Sequence, residues 1–461
     1  MGTLVISNLG RLITGHPDDV GVLGPPAAFQ PPYLRYLQAQ AHRTVWFARP
    51  GDVLLVPTPV DGAFLRHATA LRGFTPDDLD VLVHEPGAGF AARLREAVRR
   101  RGVDRAWPYY HDRTAAALIR GLGLPVAGFA AQGGAELLNS KVMFRALAAG
   151  AGVPVAEGRV PVSRADAEGF VRTLLADGRS AVVKQDFHVG GLGNEIASPA
   201  PGLLPIGANR VETCTDEEAV ARFVARQWGP DDAPGRPPIV VEHYVPDCRS
   251  VYAGYRIGER GVSLYGHGEM RMTPVINGLI TPSPSAGTAE FARFLRHAER
   301  LAGAVRALGY RGQLSVDGVL TPDGDTFLTE INARSGGATH DHCILRTLVG
   351  RDDRVLVDRR RCDFPPLGPL LAELHAQGLA FDPVSRTGVV VTVHDGGTGS
   401  ETGEFAVIAE DLAAAEQAEK AVEALLHERD GDATASADRG TDTGTHTDTD
   451  TDTDTATGDT A

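Results

Sequence analysis

The sequence predicts a multidomain protein of α/β and α+β architecture that ends in a disordered acidic tail. Three observations carry this. Strand and helix signals alternate over residues 1–135, hairpin signals replace that alternation further on, and residues 430–461 contain no large apolar side chain. A chain of 461 residues, 43% hydrophobic and 23% charged, has room for several domains of about 100–200 residues each. It is apolar enough to give them cores.

Residues 3–7 (TLVIS), 44–48 (TVWFA), 53–57 (VLLVP) and 80–84 (DVLVH) are short apolar runs of the kind buried strands show. Residues 91–101 and 113–122 carry apolar side chains at helical spacing. Such alternation makes a parallel sheet. It breaks off near residues 129–134, which sets a first α/β domain at 1–135. The second domain, 136–350, opens with a helix at 137–150, closed by Gly150 and Gly152. Strands follow at 180–184 (SAVVK) and 238–242 (PIVVE), then a long amphipathic helix at 291–308. Residues 314–319 and 326–331 are strands joined by the turn sequence Pro322-Asp323-Gly324-Asp325. A small α+β domain, 351–429, contains a charged stretch, a helix at 369–377, a hairpin of 387–393 with 404–408, and a helix at 412–427. The Thr-Asp repeat of the tail, 430–461, cannot offset the entropy of ordering.

Composition excludes several classes. The net charge is −14, of which the tail holds −8 and the rest −6. A nucleic-acid partner wants a basic face. No apolar run is long enough to span a membrane, and the first residues lack the basic and apolar regions of a secretory signal. The four cysteines, Cys214, Cys248, Cys343 and Cys362, form no C-x-x-C pair. A reduced, cytoplasmic protein is expected. Of 45 basic residues only Lys141, Lys184 and Lys420 are lysines. An ammonium survives in such a chain where a compact point charge is needed.

The hairpin carries the first chemical signal. A four-residue loop at 322–325 sets Asp317 opposite Glu330, with Asn332 on the same face. Two facing carboxylates repel, and a hard cation with oxygen ligands removes that conflict. The alternative is an exposed polar sheet face. The second signal is Lys184 at a strand end, followed by Gly190, Gly191 and Gly193. Glycines let backbone N–H groups wrap an anion, although no Walker loop is present. His340 and His342 are spaced as ligands, but such a pair more often caps or lines a site. Trp107-Pro108-Tyr109-Tyr110 reads as core or inter-domain packing. Arg359-Arg360-Arg361, beside Asp358, reads as a solvated basic turn.

The order of these parts resembles the ATP-grasp superfamily over about 210 residues, from Leu137 to Arg346. Glu330-Ile331-Asn332-Ala333-Arg334-Ser335-Gly336-Gly337 is similar to that family's E-x-N-x-R motif, and residues 139–155 to its first lysine segment. The resemblance implies ATP held between two α+β subdomains. Lys141 and Lys184 would contact its phosphates, and Gly190, Gly191 and Gly193 would cover them. Backbone at His243 and Val245 would read the adenine, with Glu242 on its amino edge. Asp317, Glu330 and Asn332 would hold two Mg²⁺, and Arg334 would steady the transferred phosphate. Arg249 stands where many members place a ribose-binding Glu, so either Asp247 substitutes or the ribose contact differs. Arg271 is the candidate for a further phosphate-binding cation. Ser315 replaces an Arg of the D-alanine ligases, which argues against that activity.

The flanks, a pre-ATP-grasp α/β domain before the core and a small α+β domain after it, resemble the pheganomycin-type peptide ligases. That resemblance implies an ADP-forming peptide ligase of peptide natural-product assembly. It would activate the carboxylate of an unusual amino acid as an acyl phosphate and pass it to the amine of an amino acid or peptide. Arg334 and the backbone of Gly336 and Gly337 would stabilise the oxyanion. A homodimer is a superfamily habit. The alternatives are a ligase or kinase with a non-peptide acceptor, and a non-catalytic ATP-binding regulator.

Overall fold

The computed structural model describes residues 2–8, 39–85, 87–188, 190–229, 238–350, 353–396 and 402–438. The first sheet is wholly parallel, in the order β3-β2-β1-β4. Its strands are β1 (Gly2–Ile6), β2 (Val53–Val56), β3 (Asp80–Val83) and β4 (Val103–Pro108). Both faces are buried, which is why the strands read as unbroken apolar runs. Leu4, Ile6, Val53 and Leu55 pack one way, against α2 (Ala88–Arg100) and α3 (Arg113–Gly121). Val5, Leu54 and Val56 pack the other way, with Phe64 of α1 (Gly62–Leu71). Asp61 and Asp112 cap α1 and α3 by accepting from the N–H of Phe64 and Ala115.

The expected strand at 44–48 is instead a buried 3-10 helix, Ala41–Phe47. Tertiary contacts override its β-rich composition. Trp46 Nε1 donates to the Thr392 carbonyl at 2.9 Å, and Arg43 makes a paired contact with Glu404. Trp107 stacks on Phe47 with centroids 5.2 Å apart, the packing role expected of it.

The core opens with the short α4 (Gly128–Ala131) and α5 (Gly134–Leu138), followed by α6 (Lys141–Ala151). The single helix expected at 137–150 is therefore split. Ser140 caps α6 by accepting from Met143 N, which sets Lys141 at its first position. A five-stranded sheet follows, ordered β5-β9-β6-β7-β8. It comprises β5 (Gly158–Arg159), β6 (Ser180–Gln185), β7 (Asn194–Ser198), β8 (Arg210–Thr213) and β9 (Ile239–Tyr244). The helices α7 (Arg164–Ala176) and α8 (Glu217–Trp228) cover one face through Phe170, Leu174, Phe223 and Val224.

The third sheet has eight strands, β14-β13-β10-β11-β12-β15-β17-β16. The core supplies β10 (Arg249–Ile257), β11 (Val262–Arg271), β12 (Gly278–Thr281), β13 (Gly312–Leu320) and β14 (Thr326–Asn332), backed by α9 (Ala289–Ala307). After α10 (Thr339–Ile344), the C-terminal region adds β15 (Val355–Asp363), α11 (Leu367–Ala376), β16 (Gly388–His394), β17 (Thr402–Ala409) and α12 (Leu412–Asp438). This region is α+β as expected, yet its strands extend the core's own sheet through β12–β15 pairing. Its apolar side chains join the cluster that holds Val5, Val45 and Phe64 of the first domain.

Three local expectations change. The run Arg359-Arg360-Arg361 lies in β15, not in a solvated turn. Arg359 pairs with Glu419 and Glu423, and Arg360 with Asp358, so acidic partners replace water. The last helix passes the expected boundary at 430 and ends at Asp438; the rest of the tail lies outside the described residues. The hairpin register matches at Asp317↔Glu330 but not beyond it, because Leu320 pairs with Thr326. The loop has five residues, with Thr321 N donating to Asp325 O. A β-bulge between Asp317 and Gly318 restores the expected pairing.

Candidate active site

A cavity of about 240 Å³ lies between the five-stranded and eight-stranded sheets. Its walls include Val182 and Lys184 of β6, residues 242–245, Tyr252 of β10, the β13–β14 hairpin, and Gly190 and Gly191. Gln40, Arg43 and Tyr109 of the first domain close one end with Arg360 and Arg361 of β15. Most of the expected residues converge here: Lys141, Lys184, Gly190, Gly191, Glu242, His243, Val245, Asp317, Glu330, Asn332 and Arg334.

Lys141 bridges two parts of the site. Its Nζ donates to the His188 carbonyl at 2.5 Å and lies 3.2 Å from Glu330 Oε2. Asp186, a buried residue that sequence reading missed, positions it. Its Oδ1 accepts from Ser140 Oγ at 2.9 Å and Val142 N at 3.0 Å. Burial and the nearby Lys141 charge push the His188 imidazole down to about 4. Lys184 Nζ pairs with Glu242 Oε2 at 2.5 Å, and Arg145 holds the other oxygen of that carboxylate. Arg145 also went unrecognised. A signal for it existed, since it lies four residues after Lys141 on the same helix face.

The glycine loop needs its glycines. Gly191 has φ +84°, and a Cβ there would meet the Gly207 carbonyl at 2.7 Å. Gly193 does not line the cavity. A Cβ on it would strike His188 Cβ at 2.3 Å, so its smallness closes the turn instead.

Asp317 and Glu330 face one another across the hairpin. Ser315 Oγ donates to Asp317 Oδ1 at 2.7 Å, and Asn332 Nδ2 donates to Asp317 Oδ2 at 2.9 Å and Glu330 Oε1 at 3.4 Å. Burial and then the Glu330 charge push the Asp317 carboxyl up to about 8. Burial would raise Glu330 too, but Lys141, Lys184 and Arg334 outweigh it and hold that carboxyl below its ordinary range. Arg334 NH2 donates to Asn332 Oδ1 at 2.7 Å, and its buried Nε makes no hydrogen bond. An N–H donor is thus available beside the carboxylates.

Other expected residues lie elsewhere. Asp247 is exposed, in a left-handed turn at φ 55°, and does not line the cavity. Arg249 reaches Glu290 at 3.1 Å. Arg271 also lies outside the lining, with its guanidinium on Glu419 of α12. Gly336 N donates to Thr339 Oγ1 at 2.8 Å, so that N–H already has a partner. Besides Arg43, two additional cations at the cavity come from β15. A β-bulge between Arg359 and Cys362 sets Arg360 and Arg361 opposite Glu404, and Arg361 adopts φ 57°. Bulges re-aim side chains in this way beside active sites. Arg360 NH2 donates to the Gly337 carbonyl at 2.9 Å. Sequence alone gives no sign of it, because the bulge is a tertiary feature.

Residues 41–124 match the family model of the pre ATP-grasp domain, and residues 369–422 that of the PGM1 C-terminal domain. No curated protein matches the chain. Among solved structures, biotin carboxylase from Campylobacter jejuni shares 14% identity at a TM-score of 0.52, covering 90% of this chain and 88% of that one. N5-carboxyaminoimidazole synthase from Aspergillus clavatus, solved with ADP and 5-aminoimidazole ribonucleotide, shares 14% at 0.53, covering 92% and 99%. The biotin carboxylase domain of 2-oxoglutarate carboxylase from Hydrogenobacter thermophilus, solved with MgADP, ADP and bicarbonate, shares 13% at 0.51, covering 88% and 86%. Identities this low speak to fold. The architecture is a pre-ATP-grasp α/β domain, an ATP-grasp core of two α+β subdomains, and a small C-terminal α+β region.

Proposed function

We propose that this protein is an ATP-dependent, ADP-forming carboxylate–amine ligase. One observation carries the reading. Lys141 and Lys184, the facing carboxylates Asp317 and Glu330, and Arg334 meet in a single cavity between two sheets. A nucleotide fits the division of that cavity. Val182, Ile206, Val245 and Met272 line an apolar part suited to a base, and Lys141 and Lys184 supply charge for phosphates.

The donor set fits Mg²⁺. Asp317 and Glu330 offer hard oxygens and Asn332 an amide oxygen, and a buried carboxyl pushed up to about 8 beside another carboxylate is short of a cation. Bound there, Mg²⁺ would neutralise phosphate charge. Lys141 and Lys184 would orient the triphosphate, and Arg334 Nε would donate to the transferred group. A substrate carboxylate oxygen attacks the γ-phosphorus, the bond to ADP breaks, and an acyl phosphate forms. An amine nitrogen then attacks the acyl carbon, phosphate leaves, and the amine loses a proton to solvent.

The amine belongs, in our reading, to an amino acid or peptide, in the assembly of a peptide natural product. The resemblance of both flanks to the peptide ligases supports this, as does the C-terminal region's distinct family match. Four free cysteines suit a reducing, cytoplasmic setting. The test is mass spectrometry of the protein with ATP, Mg²⁺, a panel of amino acids including arylglycines, and short peptides. ADP with a new amide mass is the expected result. AMP would point to adenylation and overturn the acyl-phosphate route. ATP turnover that no carboxylic acid stimulates would favour a kinase, and ATP binding without turnover a regulator.

A further inference from the structure

A second group of buried carboxylates lies behind the cavity wall. The helix α10 brings His340 and Asp341, and β15 brings Asp358. All three are fully buried, and one ligand atom from each lies within 4.8 Å of the others. Five of their polar atoms make no hydrogen bond: both ring nitrogens of His340, both carboxylate oxygens of Asp341, and Oδ1 of Asp358. His340 Nε2 lies 3.2 Å from Asp341 Oδ1, without the alignment of a hydrogen bond.

The charges around them do not balance. Arg43 is matched by Glu404. Arg360 donates its Nε to Asp358 Oδ2 at 2.5 Å and stands 3.9 Å from Asp341 Oδ2. Among the described residues the two aspartates therefore share one guanidinium, one negative charge more than it offsets. Unpaired charge in an interior is strongly destabilising. Each unbonded buried polar group adds to that cost. A proton on Asp341 would cancel the charge but satisfy few of the five atoms. A divalent ion more than offsets it, from −1 to +1, and takes one donor atom from each of the three residues.

We propose that His340, Asp341 and Asp358 form a structural binding site for a divalent first-row transition ion, zinc above all, distinct from the group at Asp317, Glu330 and Asn332. The chemistry selects the class. One imidazole with two carboxylates suits Zn²⁺ or Mn²⁺, whereas Mg²⁺ takes oxygen ligands and keeps its water. Arg360 on the outer oxygen of Asp358 is the kind of hydrogen-bonded support that ligating carboxylates have. The same arginine bonds the Gly337 carbonyl and lines the cavity. The ion would thus tie β15 to the loop that follows Arg334.

The experiment is metal analysis of the full-length protein expressed in zinc-supplemented medium and dialysed without chelator. Wild type should retain about one zinc per chain, and H340Q and D341N under about a tenth of that. E330Q, altered at the other carboxylate group, should keep its zinc, so the result stands apart from the ligase reading. Because a ligand variant can fail to fold, the second measurement uses wild type alone. Metal-stripped protein should melt at higher temperature with added Zn²⁺ than with equal Mg²⁺. Wild type without any bound transition metal, and with no zinc-dependent shift in melting, would overturn the site and leave a proton in its place. Equal zinc in wild type and H340Q would overturn it as well.

Discussion

Two pairs of carboxylates, one lining the cavity and one sealed in the core, are treated differently. Asp317 and Glu330 open onto the cavity, and Lys141, Lys184 and Arg334 act on Glu330 from its walls. Asp341 and Asp358 are sealed at zero exposure, with Arg360 as their shared cation. Charge that faces a cavity can be neutralised by a ligand that comes and goes. Charge closed into the core needs a partner that stays. On the proposed reading, the first pair serves turnover and the second holds β15 against the core.

The sharpest way to break this contrast is to neutralise each pair in turn. Glu330→Gln removes a cavity-facing charge, and turnover should fall by about a thousandfold or more while the melting temperature stays close to wild type. Turnover within tenfold of wild type would remove Glu330 from the reaction. Arg360→Met should do the reverse in kind. It strips the shared cation from two buried aspartates, so denaturant unfolding should show a loss of about 3–5 kcal/mol. A stable Arg360→Met protein would mean that Asp341 and Asp358 do not depend on that guanidinium.

A smaller effect separates the two sides by acid. His188 stands on the cavity side, with its carbonyl on Lys141 Nζ. Its imidazole is held near 4 in the folded chain and returns to about 6.5 on unfolding. Between those values the unfolded chain takes up a proton that the folded chain refuses. Stability is therefore whole above about 6.5 and declines as the pH falls towards 4, by about 3 kcal/mol at most from this one group. In His188→Gln, whose amide does not titrate, the decline between pH 7 and 4.5 should be shallower. Parallel pH profiles for the two proteins would count against a depressed His188.

Much of the cavity could be read from the sequence because its residues sit on regular elements. Lys184 ends a strand, Lys141 follows a capping Ser140, and Glu330 and Asn332 alternate on β14. The facing of Asp317 and Glu330 came out right through two offsetting departures, a five-residue loop and a β-bulge. What could not be read is what distant segments do to one another. The 44–48 run becomes a 3-10 helix because Thr392 and Glu404, far along the chain, bind Trp46 and Arg43. The C-terminal strands join the core's sheet through β12, a short strand with no turn signal linking it to β15. The arginine run looks solvated in one dimension, and only the fold supplies Glu419 and Glu423 as partners and buries Asp358 with Arg360.

The smallest expected effect belongs to Arg271, and it tests that lesson. Sequence order nominates Arg271 as a phosphate-binding cation, whereas the fold turns its guanidinium to Glu419 on α12 and leaves it about a quarter exposed, at 24%. A half-open ion pair of this sort is worth at most about 1 kcal/mol. Arg271→Met should therefore lower stability by about that amount and leave kcat and the KM for ATP within about twofold of wild type. The fold instead brings Arg360 and Arg361 of β15 to the cavity wall through a bulge. A hundredfold loss of kcat in Arg271→Met, with folding intact, would mean that the guanidinium leaves Glu419 when substrates bind. The sequence-based assignment would then describe the working enzyme better than the resting geometry does.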